Sequence, residues 1–127
     1  MNVPSNLKFA KSDEWFDAAS GAVGISDYAQ NQLSDIVFVE ILVEEGEEVE
    51  VGKAIASVES VKASSEIYAP AAGKVSAVNK GLADKPETLN SDPYGEGWMI
   101  KIEGGAAAGS ELMDAAGYEK YCEGRTH

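Results

Sequence analysis

Apolar residues in this chain recur at every second position in short runs separated by turn-forming clusters, a period that predicts strands rather than long helices. Residues 53–61 carry Ala54, Ala56 and Val58 on one face, and residues 64–69 alternate through Ile67 and Ala69. Residues 35–43 are denser: Ile36-Val37-Phe38-Val39 and Ile41-Leu42-Val43 are interrupted only by Glu40. That density predicts a strand buried, at least in part, on both faces. Residues 15–19 and 22–25 flank Ser20-Gly21 as a hairpin. Pro70-Ala71-Ala72-Gly73 breaks the pattern before residues 74–78 resume it, and Pro93-Tyr94-Gly95-Glu96-Gly97 is a turn cluster ahead of a strand over 98–102.

Helical signals are few. Asp27 is expected to cap a short helix, with Gln30 reaching back in a capping box and Ala29 and Leu33 on one side. Residues 86–89 read as one helical turn. After a small-residue linker at 104–109, Ser110 is expected to cap a closing helix over about 110–121 that carries Leu112, Ala115, Tyr118 and Tyr121. Gly117 weakens that helix by about 1 kcal/mol relative to alanine. The expected fold is one mainly β domain over residues 1–127, a small β sandwich or flattened barrel with short peripheral helices.

Composition then removes function classes. With 127 residues, 44% hydrophobic and 25% charged, the chain suits one real core. Ten basic against 22 acidic residues leave a net charge of −12, which repels phosphate backbones and argues against nucleic acid as a partner. No apolar run approaches the ~20 residues that cross a bilayer, so no membrane role is expected. The amino-terminal residues show neither an apolar signal core nor an Arg-rich presequence, which predicts a bacterial cytoplasmic product, or a mitochondrial-matrix one in a eukaryote. One cysteine, Cys122, excludes an internal disulfide, and one histidine, His127 at the last position, leaves no metal centre or His-based triad. Gly46 and Gly52 have five residues between them where a phosphate loop has four, and Ala54 stands where that motif needs Ser or Thr. Trp15 and Trp98 read as packing residues, Cys122 as a half-buried helix residue, and the acidic run from Glu40 to Glu50 as a solvated turn.

Glu59-Ser60-Val61-Lys62-Ala63-Ser64-Ser65-Glu66 lies between two expected strands with no Gly, Pro or Asn to relax the turn. Lys62 is therefore expected at the tip of a tight hairpin, pointing into water. An exposed lysine is ordinarily a solvated charge. A protruding one flanked by Ala63, Ser64 and Ser65 also suits a modifying enzyme, whose active site must take in the whole amine. Spacing does not name the adduct.

Four segments together are more specific. Val23-Gly24-Ile25-Ser26-Asp27-Tyr28-Ala29-Gln30, Asp35-Ile36-Val37-Phe38-Val39-Glu40, Glu59-Ser60-Val61-Lys62-Ala63-Ser64 and Pro93-Tyr94-Gly95-Glu96-Gly97-Trp98 resemble, in this order, the H proteins of the glycine cleavage system. The similarity runs from about Leu7 to Tyr121. It implies a lipoyl-carrier β sandwich with lipoate in amide linkage on Lys62. It also implies a non-catalytic carrier that takes an aminomethyl group from the pyridoxal-phosphate glycine decarboxylase to the tetrahydrofolate-dependent aminomethyltransferase, and a carrier that must visit three enzymes is expected to be a monomer. Dihydrolipoyl dehydrogenase then reoxidises the carrier, and a lipoate ligase or an octanoyl or lipoyl transferase loads it in the first place. By the same resemblance Ser12, Glu14 and Glu66 line the cleft that receives the loaded arm. Asp13 stands where the family usually has histidine, which alters the charge expected near that cleft.

The resemblance also separates this chain from its architectural relatives. Biotin carriers place the lysine between methionines, and lipoyl domains of 2-oxoacid dehydrogenases place Asp before it; here the neighbours are Val61 and Ala63. The alternative role that sequence leaves open is donation of lipoyl groups to other proteins in a relay.

Overall fold

β-branched and aromatic residues between turn clusters favour strands, and in the computed structural model, which describes residues 3–103 and 112–124, these strands make two antiparallel sheets. One contains β1 (Lys8–Phe9), β2 (Glu14–Phe16), β3 (Ala22–Ile25), β5 (Glu48–Val49), β8 (Gly73–Val78) and β9 (Ile100–Glu103), in the order β1-β2-β3-β9-β8-β5. The other contains β4 (Ile36–Ile41), β6 (Ala54–Ser60) and β7 (Ser64–Tyr68), in the order β4-β6-β7. Val23, Ile25 and Ile100 from the larger sheet meet Val39, Ile55 and Val58 from the smaller in one core, each at most 1% exposed. Burial of such side chains contributes roughly 1.5–3 kcal/mol each, which makes this interface the main stabilising layer. The architecture is the expected one: mainly β, two open sheets and a few short helices.

Among the described residues four helices lie at the periphery: α1 (Asp27–Leu33), α2 (Gly81–Asp84), α3 (Thr88–Ser91) and α4 (Ala115–Glu123). Two caps differ from expectation. Ser26, not Asp27, caps α1, because Ser26 leaves β3 with an extended backbone and its Oγ accepts from the Ala29 N–H at 3.1 Å. Asp27 sits in the first turn, where its Oδ1 accepts from Gln30 Nε2 at 2.7 Å. The closing helix starts later than the expected 110: Asp114 caps it by accepting from the Gly117 N–H at 2.8 Å. Ser110 lies outside the described residues. Met113 cannot join the helix because its N–H and C=O both pair with Phe9, at 2.7 and 2.8 Å.

The run over 35–43 also differs. Val39 is buried, but Val37 is 55% and Phe38 46% exposed. A bulge between Ile36 and Phe38 explains both, since it lets two successive side chains face outward. α2, β1 and β5 are too short to show a period in the sequence.

α4 packs on the β1 edge through a second cluster that includes Leu7, Phe9, Trp15, Tyr118 and Cys122. Phe9 and Tyr118 stack with ring centroids 4.5 Å apart. Cys122 is buried there rather than half-buried. Trp15 is a core residue, as expected, and its Nε1 donates to the Pro93 carbonyl at 2.9 Å. Among the described residues no helix is long and apolar enough to cross a membrane.

Candidate functional site

The β6–β7 hairpin carries Lys62 at its exposed tip. Without glycine, the turn is closed by Ser60. Its Oγ accepts from the backbone N–H groups of Lys62 and Ala63, at 3.3 and 3.1 Å, and donates to the Ala63 carbonyl at 3.1 Å. The Ser60 N–H donates to the same carbonyl at 2.8 Å. A serine hydroxyl that bonds nearby backbone groups stabilises such a turn locally. The base of the tip is tied to the residue just before β4, because the Val61 N–H donates to the Asp35 carbonyl at 3.1 Å. The Lys62 ammonium has no hydrogen-bond or ion-pair partner among the described residues. The result is a rigid turn that presents a free amine.

The sequence reading missed Ser60; a Ser two residues before an expected turn tip, with no Gly or Pro nearby, was the available signal.

β7 runs from the tip toward a cleft of about 960 Å³ whose wall includes Ser12, Glu14, Val51, Tyr68, Leu112 and Met113. Four strand rises from Ser64 to Tyr68 cover about 13 Å. Glu14 is the chemically distinctive residue there, a carboxylic acid only 1% exposed. Its Oε1 accepts from the Ser12 hydroxyl and its Oε2 from the Tyr68 N–H at 2.9 Å. Those two bonds favour the charged form, but burial outweighs them, with a smaller push from the Asp13 charge, and lifts the Glu14 carboxyl up to about 7. Of the three residues expected in the cleft, Ser12 and Glu14 meet. Glu66 does not line it: it is exposed on the outer side of β7, with a long 3.5 Å contact from the Tyr68 hydroxyl. Tyr68, two residues beyond Glu66 on the same strand face, takes the place expected for Glu66.

Asp13 turns away from the cleft. Its backbone has φ +80, and its Oδ1 accepts from the Tyr118 hydroxyl of α4 at 2.8 Å. The Ser26 hydroxyl then donates to the Tyr118 oxygen at 2.6 Å while accepting from Ala29. The Asp13 carbonyl takes the Ser26 N–H at 2.9 Å. This network fixes the residue between Ser12 and Glu14 from behind.

A small two-sheet β domain with a lone amine at a hairpin tip, one strand away from a partly apolar cleft with a buried acid, is the geometry of a swinging-arm carrier. Residues 7–125 match the family described as Glycine cleavage H-protein. The chain is 52% identical over 119 residues to the glycine cleavage system H protein of Deinococcus deserti, covering 94% of this chain and 97% of that one. It is 48% identical over 130 residues to the protein of the same name from Xylella fastidiosa, covering 99% and 98%. The crystal structure of a glycine cleavage system H protein from Mycobacterium marinum superposes with a TM-score of 0.84 at 36% identity, covering 93% of this chain and 97% of that one. The chain belongs to the glycine cleavage H-protein family.

Proposed function

We propose that Lys62 carries a lipoyl group in amide linkage and that this chain is a carrier rather than a catalyst; family membership assigns it the lipoyl-carrier role in the glycine cleavage system. The observation that supports Lys62 is its unpartnered amine on a turn closed by Ser60. The surroundings fit such a group. Ala63, Ser64 and Ser65 leave the amine accessible, and Val51, Leu112 and Met113 offer apolar surface to an acyl chain. Loading requires the ammonium to lose a proton. Nζ then attacks an activated acyl carbon, a C–N bond forms, and the activating group leaves with the bonding electrons. A lipoate ligase or an octanoyl or lipoyl transferase is the enzyme class that supplies the activated acyl group.

When bound, a lipoyl group supplies a disulfide whose reduction leaves one sulfur able to carry the aminomethyl group of glycine. The partners on this reading are glycine decarboxylase, aminomethyltransferase and dihydrolipoyl dehydrogenase. Glu14 is suited to receive the amine of that cargo. Near neutral pH its carboxyl can hold or release a proton at Oε2, and a cationic amine in the cleft draws it toward the carboxylate. The pair keeps the amine as ammonium, whose lone pair is then unavailable to expel sulfur, and the cleft walls limit water. Ser12 and the Tyr68 N–H hold the carboxylate in place. Glu66, outside the cleft lining, borders the route from the tip.

Intact-mass and peptide mass spectra of protein from a lipoate-fed host test the assignment. The expected result is a single lipoyl adduct on Lys62 that is absent from Lys62→Arg. An adduct elsewhere, or one that survives the substitution, refutes it.

A further inference from the structure

Ser34 ends α1 with φ 66 and ψ −147, a conformation that glycine adopts freely and serine only under strain. The strained residue is held from both sides. Its N–H donates to the Gln30 carbonyl at 3.0 Å. Its carbonyl accepts from Asn90 Nδ2 at 2.8 Å, and the same amide donates to Gln30 Oε1 at 2.9 Å. Asn90 Oδ1 accepts from the Ile36 N–H at 2.9 Å. One side-chain amide thus uses both donors and its acceptor on a single stretch of chain.

Asp35 lies between the two backbone groups that Asn90 grips, and its carbonyl receives the Val61 N–H at the base of the Lys62 turn. Ile36 also registers opposite Ser60, the residue that closes that turn. Asn90 is itself well anchored. Leu89 beside it is fully buried, the Pro93 carbonyl accepts from Trp15, and the Tyr94 hydroxyl accepts from the Asp27 N–H at 2.8 Å. The segment that braces the lysine turn is therefore also bonded to the strand that carries Glu14.

We propose that Asn90 is a positioning residue for the acylation of Lys62: by clamping the strained Ser34–Ile36 backbone it fixes the carbonyl on which the Lys62 turn rests. The proposal builds on the reading of Lys62 as the acylation site. Without the clamp, Ser34 relaxes, the Asp35 carbonyl turns away, and the tip samples several orientations. An acylating enzyme then binds only the competent fraction, so its apparent affinity falls by that fraction while the rate of the bound complex is retained.

The test is acylation of purified apo protein by a lipoate ligase with lipoate and ATP, combined with amide hydrogen exchange of the same samples. Asn90→Ala is expected to raise KM about fivefold or more with kcat within about twofold. It is also expected to speed exchange at Val61 about tenfold or more while core amides of β3 and β9 stay protected. Ser34→Gly in the Asn90→Ala background removes the drive to relax and is expected to restore most of both effects. Unchanged KM and Val61 exchange in Asn90→Ala overturns the proposal, as does an exchange increase spread evenly over the protein. Should Asn90→Ala fail to fold, Asn90→Asp, which keeps the acceptor for Ile36 and loses both donors, is expected to show the same KM-selective effect; parent kinetics for it overturn the proposal. A parent protein that is not acylated at Lys62 at all overturns the carrier reading and this inference with it, whereas an acylated parent with insensitive Asn90 variants removes only the brace.

Discussion

Glu14 concentrates the chemistry of this molecule at the scale of one residue. Its carboxyl titrates near 7 in the folded chain against 4.5 unperturbed, so between those values the folded state holds a proton that the unfolded state has released. Its contribution to stability is therefore fully present below about 4.5 and is lost as pH rises through about 7, a loss of about 3 kcal/mol over the window. Glu14→Gln keeps an acceptor for the Tyr68 N–H and has no charge to bury. Denaturant unfolding over a pH series is expected to show this variant more stable than the parent at pH 8, by up to about 3 kcal/mol, with the difference gone near pH 4.5. The same substitution is expected to shorten the lifetime of aminomethyl-loaded carrier, measured as formaldehyde or ammonia release at neutral pH, without changing lipoylation of Lys62. Equal release from variant and parent would remove Glu14 from that protective role.

At the scale of elements, α4 is a buttress for the cleft. It follows a lead-in that pairs Met113 with Phe9 and places Leu112 and Met113 in the cleft wall. It also sends the fully buried Tyr118 hydroxyl to Asp13 and Ser26. Tyr118→Phe retains the stacking on Phe9 and deletes only that hydroxyl, leaving the Asp13 carboxylate and the Ser26 hydroxyl each without a partner they now have. Such a deletion costs about 1–3 kcal/mol. Urea unfolding is expected to show that loss. The distorted backbone at Asp13 (φ +80) depends on the same bonds, so the variant is also expected to weaken the Ser12–Glu14 hydrogen bond, which favours the carboxylate, and raise the Glu14 titration midpoint followed by carboxyl NMR. An unchanged midpoint would confine Tyr118 to a structural role.

For the whole molecule, net charge is the property able to act on partners at a distance. The net charge is −12, and the outer face of the smaller sheet exposes Glu40, Glu59 and Glu66 together with Phe38 beside the Lys62 tip. Individual surface ion pairs contribute little, but a collective field steers partners over roughly a Debye length, ~8 Å at physiological salt. For the proposed partners, glycine decarboxylase and aminomethyltransferase, apparent affinity is expected to fall as ionic strength rises from about 0.05 to 0.5 M, a change that shortens the Debye length several-fold. Steady-state kinetics with purified partners would show it. Salt-independent values would leave the acidic surface a solubility feature alone.

Local pattern was enough for much of this. Alternation over 53–61 and 64–69 located β6, β7 and the tip between them, because the period-two face preference is written into neighbouring residues. The order of four motifs was enough for the family and the two-sheet fold. Other features depended on contacts far apart in the chain. Ser26 became a cap only because β3 delivers it extended to the start of α1, and the exposure of Val37 and Phe38 came from a bulge in the pairing with β6. Resemblance pointed Glu14 toward the cleft, but its near-complete burial, and the bond it accepts from the Tyr68 N–H 54 positions away, came only with the fold. Asn90 carried no signal at all, since its three partners lie 54 to 60 positions upstream. Short-range periodicity records which face of a strand is apolar; burial of a polar group and the partner that satisfies it are set only when distant segments pack together.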